Sequence, residues 1–130
     1  MKACGHIIAA GDMRSIFDDI VRAPQTRTRF DLWTAYLNRT KAATVLEIGV
    51  WQGEFSAAVL QAVPSIKRYH MLDPWRHLDD WNKPLNVGQD VFEQAYAQAM
   101  KATEFAAARR VVLRPGAQLR HRHPEESQTQ

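Results

Sequence analysis

The chain has 130 residues, 45% hydrophobic and 24% charged, with a formal net charge of +3. That composition is ordinary for a globular protein and excludes wholesale disorder, and the length fits one domain or part of one. Cys4 is the only cysteine, which excludes an internal disulfide and makes a reducing, cytoplasmic setting the expectation.

The start of the chain carries one Lys and a brief apolar stretch, Ile7-Ile8-Ala9-Ala10, closed by Gly11-Asp12. This is too short for a signal-peptide core. No apolar run approaches the roughly 18 residues of a membrane span, so a soluble protein with no membrane partner is expected. From 12 to 23, Met13, Ile16, Phe17, Ile20 and Val21 recur at helical spacing, which predicts an amphipathic helix stopped by Pro24. A second helix is predicted from about 28 to 39, with Phe30, Trp33 and Leu37 as its apolar stripe. Residues 1–40 thus read as a helical lead-in that covers a sheet edge or face.

Thr44 to Val50 is apolar apart from Glu47, the pattern of a strand covered on both faces. A crossover helix is predicted over 53–63 with Phe55, Ala58, Val59 and Ala62 buried, and Pro64 ends it. A second strand covers 66–72. A loop rich in turn formers follows, from Asp73-Pro74-Trp75 through Asp79-Asp80-Trp81-Asn82-Lys83-Pro84. A long helix is predicted from about 89 to 108, then a third strand over 110–114 and a turn at Pro115-Gly116. The order α-α-β-α-β-α-β predicts an α/β fold: a partial Rossmann-like sheet of three parallel strands with crossover helices.

After Gly116 the character changes. Residues 117–130 contain one large apolar side chain, Leu119, and read as a polar disordered tail. Arg109, Arg110, Arg114, Arg120 and Arg122, with His121 and His123, form a basic cluster of the kind that can mark nucleic-acid binding. No aromatic residue interleaves with it beyond Phe105, so a solvated helix end and tail is the plainer reading, and nucleic acid is disfavoured.

The most informative segment is Val45-Leu46-Glu47-Ile48-Gly49-Val50-Trp51-Gln52-Gly53 with the helix behind it. A strand, a glycine turn and a helix start place backbone N–H groups where a small ligand can approach the main chain. Asp73 ends the next strand, 24 residues after Gly49, near the roughly 20 expected between a glycine turn and a ribose-binding acid. The G-x-G-x-x-G spacing that admits a pyrophosphate is absent, which disfavours a nicotinamide dinucleotide.

With Glu47-Ile48-Gly49-Val50-Trp51-Gln52-Gly53 and Met71-Leu72-Asp73-Pro74-Trp75, residues 40–116 resemble class I S-adenosylmethionine-dependent methyltransferases, nearest the branches acting on small molecules or sugars. The resemblance implies S-adenosyl-L-methionine as cofactor and a small-molecule methyl acceptor. It implies a cofactor site of Glu47, Gly49, Trp51, Gly53, Asp73 and Trp75. Gly49 would let the backbone lie against the methionine portion, and Gly53 would keep the helix N-terminus accessible. Asp73 would accept from both ribose hydroxyls, Glu47 would sit near the amino group or hold the loop, and Trp75 would lie against adenine. Plainer roles stand beside these: glycines as turn residues, Asp73 as the start of a turn, Trp75 as packing, His70 as a core or edge histidine. His77, Asp79 and Asp80 read as solvated loop residues, and no metal site is expected.

The family's sheet continues past its third strand, and the ligand crevice lies between its first and fourth strands. This chain supplies no counterpart of the fourth strand, so it reads as the cofactor half of such a domain, truncated before the catalytic and substrate half. Its catalytic residues therefore go unassigned. The first strand would then be an unpaired edge that invites a second copy or a partner. The alternative reading is a non-catalytic module that completes its sheet with a partner.

Overall fold

A computed structural model describes residues 10–116. Its elements are α1 (Ala10–Arg22), α2 (Arg29–Arg39), β1 (Thr44–Ile48), α3 (Glu54–Ala62), β2 (Arg68–Leu72), α4 (Gln89–Ala102), a 3-10 turn (Glu104–Ala106) and β3 (Arg110–Leu113). The three strands form one parallel sheet in the order β1-β2-β3. The fold is α/β, with the strand order of the first half of a Rossmann-like domain. The predicted tail over 117–130 and the start of the chain through Ala9, Cys4 included, lie outside the described residues.

Burial alternates along β1 and β2 but not along β3, and among the described residues the helices α3 and α4 cover one face of the sheet. Tyr69 and Met71 of β2 are fully buried against Val59, Leu60 and Val63 around α3 and Phe92, Ala95 and Ala99 of α4. Both helices therefore pack on the same face, and each large buried aliphatic side chain contributes about 1.5–3 kcal/mol. The opposite face carries Leu46 and Ile48, 56% and 76% exposed, with Leu113 two strands away at 39%. The expectation that β1 is covered on both faces is corrected here: its burial alternates, and it is an edge strand with one face open among the described residues.

The two lead-in helices stack outward from the core. Thr28 starts α2 through a capping box: its hydroxyl accepts the Asp31 N–H at 3.1 Å, and Asp31 accepts the Thr28 N–H at 2.9 Å. Phe30 of α2 meets Phe55 of α3 edge to face, with ring centroids 6.4 Å apart. Helix α1 packs on α2, with Phe17 against Tyr36. It covers the neighbouring helix, where the sequence reading put it on the sheet.

Helix α4 is shorter than predicted. The Thr103 hydroxyl donates to the Ala99 carbonyl at 2.7 Å, and an Arg110 guanidinium nitrogen donates to the Met100 carbonyl and the Thr103 hydroxyl. With its last carbonyls satisfied this way, the helix ends in a 3-10 turn. No helix among the described residues is long and apolar enough to cross a membrane.

Candidate functional site

The glycine turn sits at the C-terminal end of β1. Gly49, Trp51 and Gly53 all have positive φ, at 86°, 57° and 78°. Two glycines meet that demand without strain; Trp51 occupies a region uncommon for a residue with a side chain. Asp73, at the end of β2, supplies what holds the turn. Its Oδ2 accepts the N–H of Val50 and of Trp51, both at 2.9 Å, and its Oδ1 accepts the Trp75 N–H at 2.8 Å. The Trp75 indole N–H donates to the Trp51 carbonyl at 2.7 Å and closes the brace.

The two glycines do different work. At Gly49 a Cβ would meet nothing within 4 Å, so the backbone is open toward the cleft. At Gly53 a Cβ would lie 2.8 Å from Ala99 Cα, so this glycine exists to let α3 start against α4. Gly53 itself is buried by α4 and does not line the cleft, while Glu54 of the first α3 turn does. The start of α3 has no side-chain cap, so its first N–H groups keep their hydrogen-bonding capacity.

Beside the turn lies a cleft of about 470 Å³. The α2 start (Thr28, Arg29, Phe30), the strand end and turn (Glu47, Gly49, Trp51) and the first turns of α3 line it. Glu47 rises into it from β1. Its Oε2 accepts the Tyr69 hydroxyl at 2.7 Å and the Ser56 hydroxyl at a shorter distance. Burial raises the Glu47 pKa above the usual carboxylate value, against the opposing effect of those two hydroxyls and of Arg29. Burial also drives the Tyr69 phenol well above its ordinary range, assisted by the adjacent Glu47 charge, so Tyr69 stays a proton donor to Glu47.

The structure thus brings Glu47, Gly49 and Trp51 to the cleft and leaves three expected site residues behind it. Gly53 is in the helix junction. Asp73, 9% exposed, does not line the cleft; three backbone N–H groups occupy its carboxylate where ribose hydroxyls were expected. Trp75 is fully buried and stands edge-on to Tyr96 at 5.1 Å, so no face of its ring is free for adenine. The bonds to Asp73 have one physical reason: a sharp turn rich in positive φ exposes backbone N–H groups that need acceptors.

Three residues near the cleft were missed. Arg29 lies over the Phe55 ring, its guanidinium carbon 4.8 Å from the centroid. Thr28-x-x-Asp31 marks a helix start in the sequence, but nothing local says that this start docks beside Gly49. Ser56 and Tyr69 carried a better signal, because a Tyr in an apolar strand needs a polar partner.

The loop after β2 forms a second concavity of about 570 Å³, lined by residues that include His77, Asp79, Asp80 and Trp81. Asn86 pins this loop, accepting the Leu78 N–H at 2.9 Å and donating to the Leu78 and Trp81 carbonyls. His77 Nδ1 lies 2.8 Å from the Val87 carbonyl, and Asp79 and Asp80 are exposed. His70 is half-buried with Nδ1 3.2 Å from the Val45 carbonyl. Among the described residues, no three His, Cys, Asp or Glu side chains converge as a metal site. Comparison with protein-family models, curated proteins and solved structures finds no match to this chain.

Proposed function

We propose that this chain is the cofactor-binding half of a class I methyltransferase-like domain, and that the 470 Å³ cleft takes the adenosyl-amino acid ligand S-adenosyl-L-methionine. The observation that carries this reading is the open main chain at Gly49, set between the uncapped N-terminus of α3 and the Glu47 carboxylate. These residues fit the group's amino acid end: Glu47 as acceptor for an ammonium, the α3 N–H groups as donors, and bare backbone for close approach. When bound, the cofactor supplies an electrophilic methyl carbon. The chain's own residues hold and orient the ligand, with Asp73 acting through the shape of the turn. The acceptor is a small molecule in this reading, in a cytoplasmic setting, and its site is not among the elements described.

Calorimetric titration of the chain with S-adenosylhomocysteine and with NAD tests the proposal. Saturable binding of the first, weakened by Gly49→Val and absent for the second, is the expected result. No heat with S-adenosylhomocysteine at millimolar concentration would end it.

A second reading, an interaction module that completes its sheet with a second copy or a partner, has its own support. Leu46 and Ile48 are exposed on β1, an edge strand with no further strand beside it among the described residues. Sedimentation of the wild-type chain against Leu46→Lys/Ile48→Lys separates the two: a wild-type dimer made monomeric by the double variant favours the module.

A further inference from the structure

Among the described residues that line the cleft, Arg29 is the only cation. The Phe55 ring under its guanidinium directs it there, and no carboxylate among the described residues pairs with it. Glu47 faces the same space. Its Oε2 is taken by Ser56 and Tyr69, while its Oε1 has no hydrogen-bond partner among the described residues and is not buried. The cleft therefore presents a free guanidinium and a free carboxylate oxygen in one space. Neither quenches the other through a direct ion pair.

From this arrangement we infer that the cleft reads a zwitterion, and that Arg29 is the specificity-determining residue that binds the ligand's carboxylate while Glu47 takes its ammonium. A planar guanidinium matches a carboxylate bidentately, which an ammonium side chain cannot do. Stacking on Phe55 also limits the conformations Arg29 must give up on binding. A ligand lacking the carboxylate would leave Arg29 as free as before and lose that contact entirely.

This inference rests on the adenosyl-amino acid reading and is tested so that the two can fail separately. The full chain is titrated with S-adenosylhomocysteine and with its decarboxylated analogue, which keeps the nucleoside, the thioether and the amine. Wild type is expected to prefer the carboxylate-bearing ligand by about tenfold or more, as a charge-assisted contact requires. Arg29→Met should cut that preference at least about threefold, with the remainder resting on the α3 N–H groups, and Arg29→Lys should restore part of it. Arg29 is exposed and Thr28 with Asp31 still cap α2, so an unchanged far-UV dichroism spectrum is expected for both variants. Equal affinity of wild type for the two ligands, or an undiminished preference in Arg29→Met, would overturn the role of Arg29 and leave the ligand reading standing. Failure of S-adenosylhomocysteine to bind would remove both.

Discussion

Asp73 separates two accounts of the turn, and Asp73→Asn tests them directly. The side-chain amide has the shape of the carboxylate but one acceptor oxygen and one NH2 group. Turning its oxygen toward Val50 and Trp51 leaves the NH2 facing the Trp75 N–H, donor against donor; turning it the other way strands two N–H groups. The better orientation still loses one hydrogen bond in a buried setting, about 1–3 kcal/mol, and converts two charge-assisted bonds into weaker neutral ones. The sum is about 2–4 kcal/mol, or a melting temperature lower by roughly 6–20 °C for a domain of this size. Thermal and urea unfolding followed by circular dichroism measure it. A residue whose oxygens only grip ribose would lose affinity on this change and keep its stability. An Asp73→Asn chain within about 0.5 kcal/mol of wild type, the range of an ordinary surface substitution, would refute the brace.

Other substitutions probe neighbouring parts of the site. Gly53→Ala combines an unfavourable positive φ with a 2.8 Å approach to Ala99 Cα, and should cost about 2–4 kcal/mol in urea unfolding. Gly49→Ala meets no clash and should cost only about 1–2 kcal/mol for its φ. Glu47 has a folded-state pKa above its ordinary 4.5, so the native chain holds this proton more tightly than the unfolded one. Its contribution to stability therefore falls as pH rises from about 4.5 through the folded pKa. Glu47→Gln keeps an acceptor for Ser56 and Tyr69 and should flatten that slope in unfolding curves taken across the window. Thr28→Ala removes the α2 cap and should cost about 1 kcal/mol, read in the same unfolding assay.

The element order was legible because each strand is a short apolar run between turn formers and each helix carries its own periodic stripe. Boundaries slipped where tertiary contacts decide them. Arg110 takes the Met100 carbonyl in the last turn of α4 from outside the helix, and the positive φ at Gly49 cuts β1 short of Val50. Glu47 and Gly49 could be found by their place beside the turn. The role of Asp73 could not, because a carboxylate after a strand looks the same whether it serves hydroxyls or backbone N–H groups. Trp75 is another such case: its burial depends on Tyr96 and Arg114, which are distant in sequence. Arg29 reaches the cleft only because α2 docks on α3, and no local pattern encodes a docking.

The Phe92–Trp51 contact has a consequence for how a ligand would be met. Trp51 stands edge-on to Phe92 of α4, 5.8 Å between centroids, while its carbonyl is tied to the Trp75 indole. Fastened at both ring and main chain, the turn is preorganised before any guest arrives, and none of a ligand's affinity is consumed in ordering it. Association at this site should then proceed as rigid docking, with a rate set by diffusion into the cleft and free of any slow refolding of the loop.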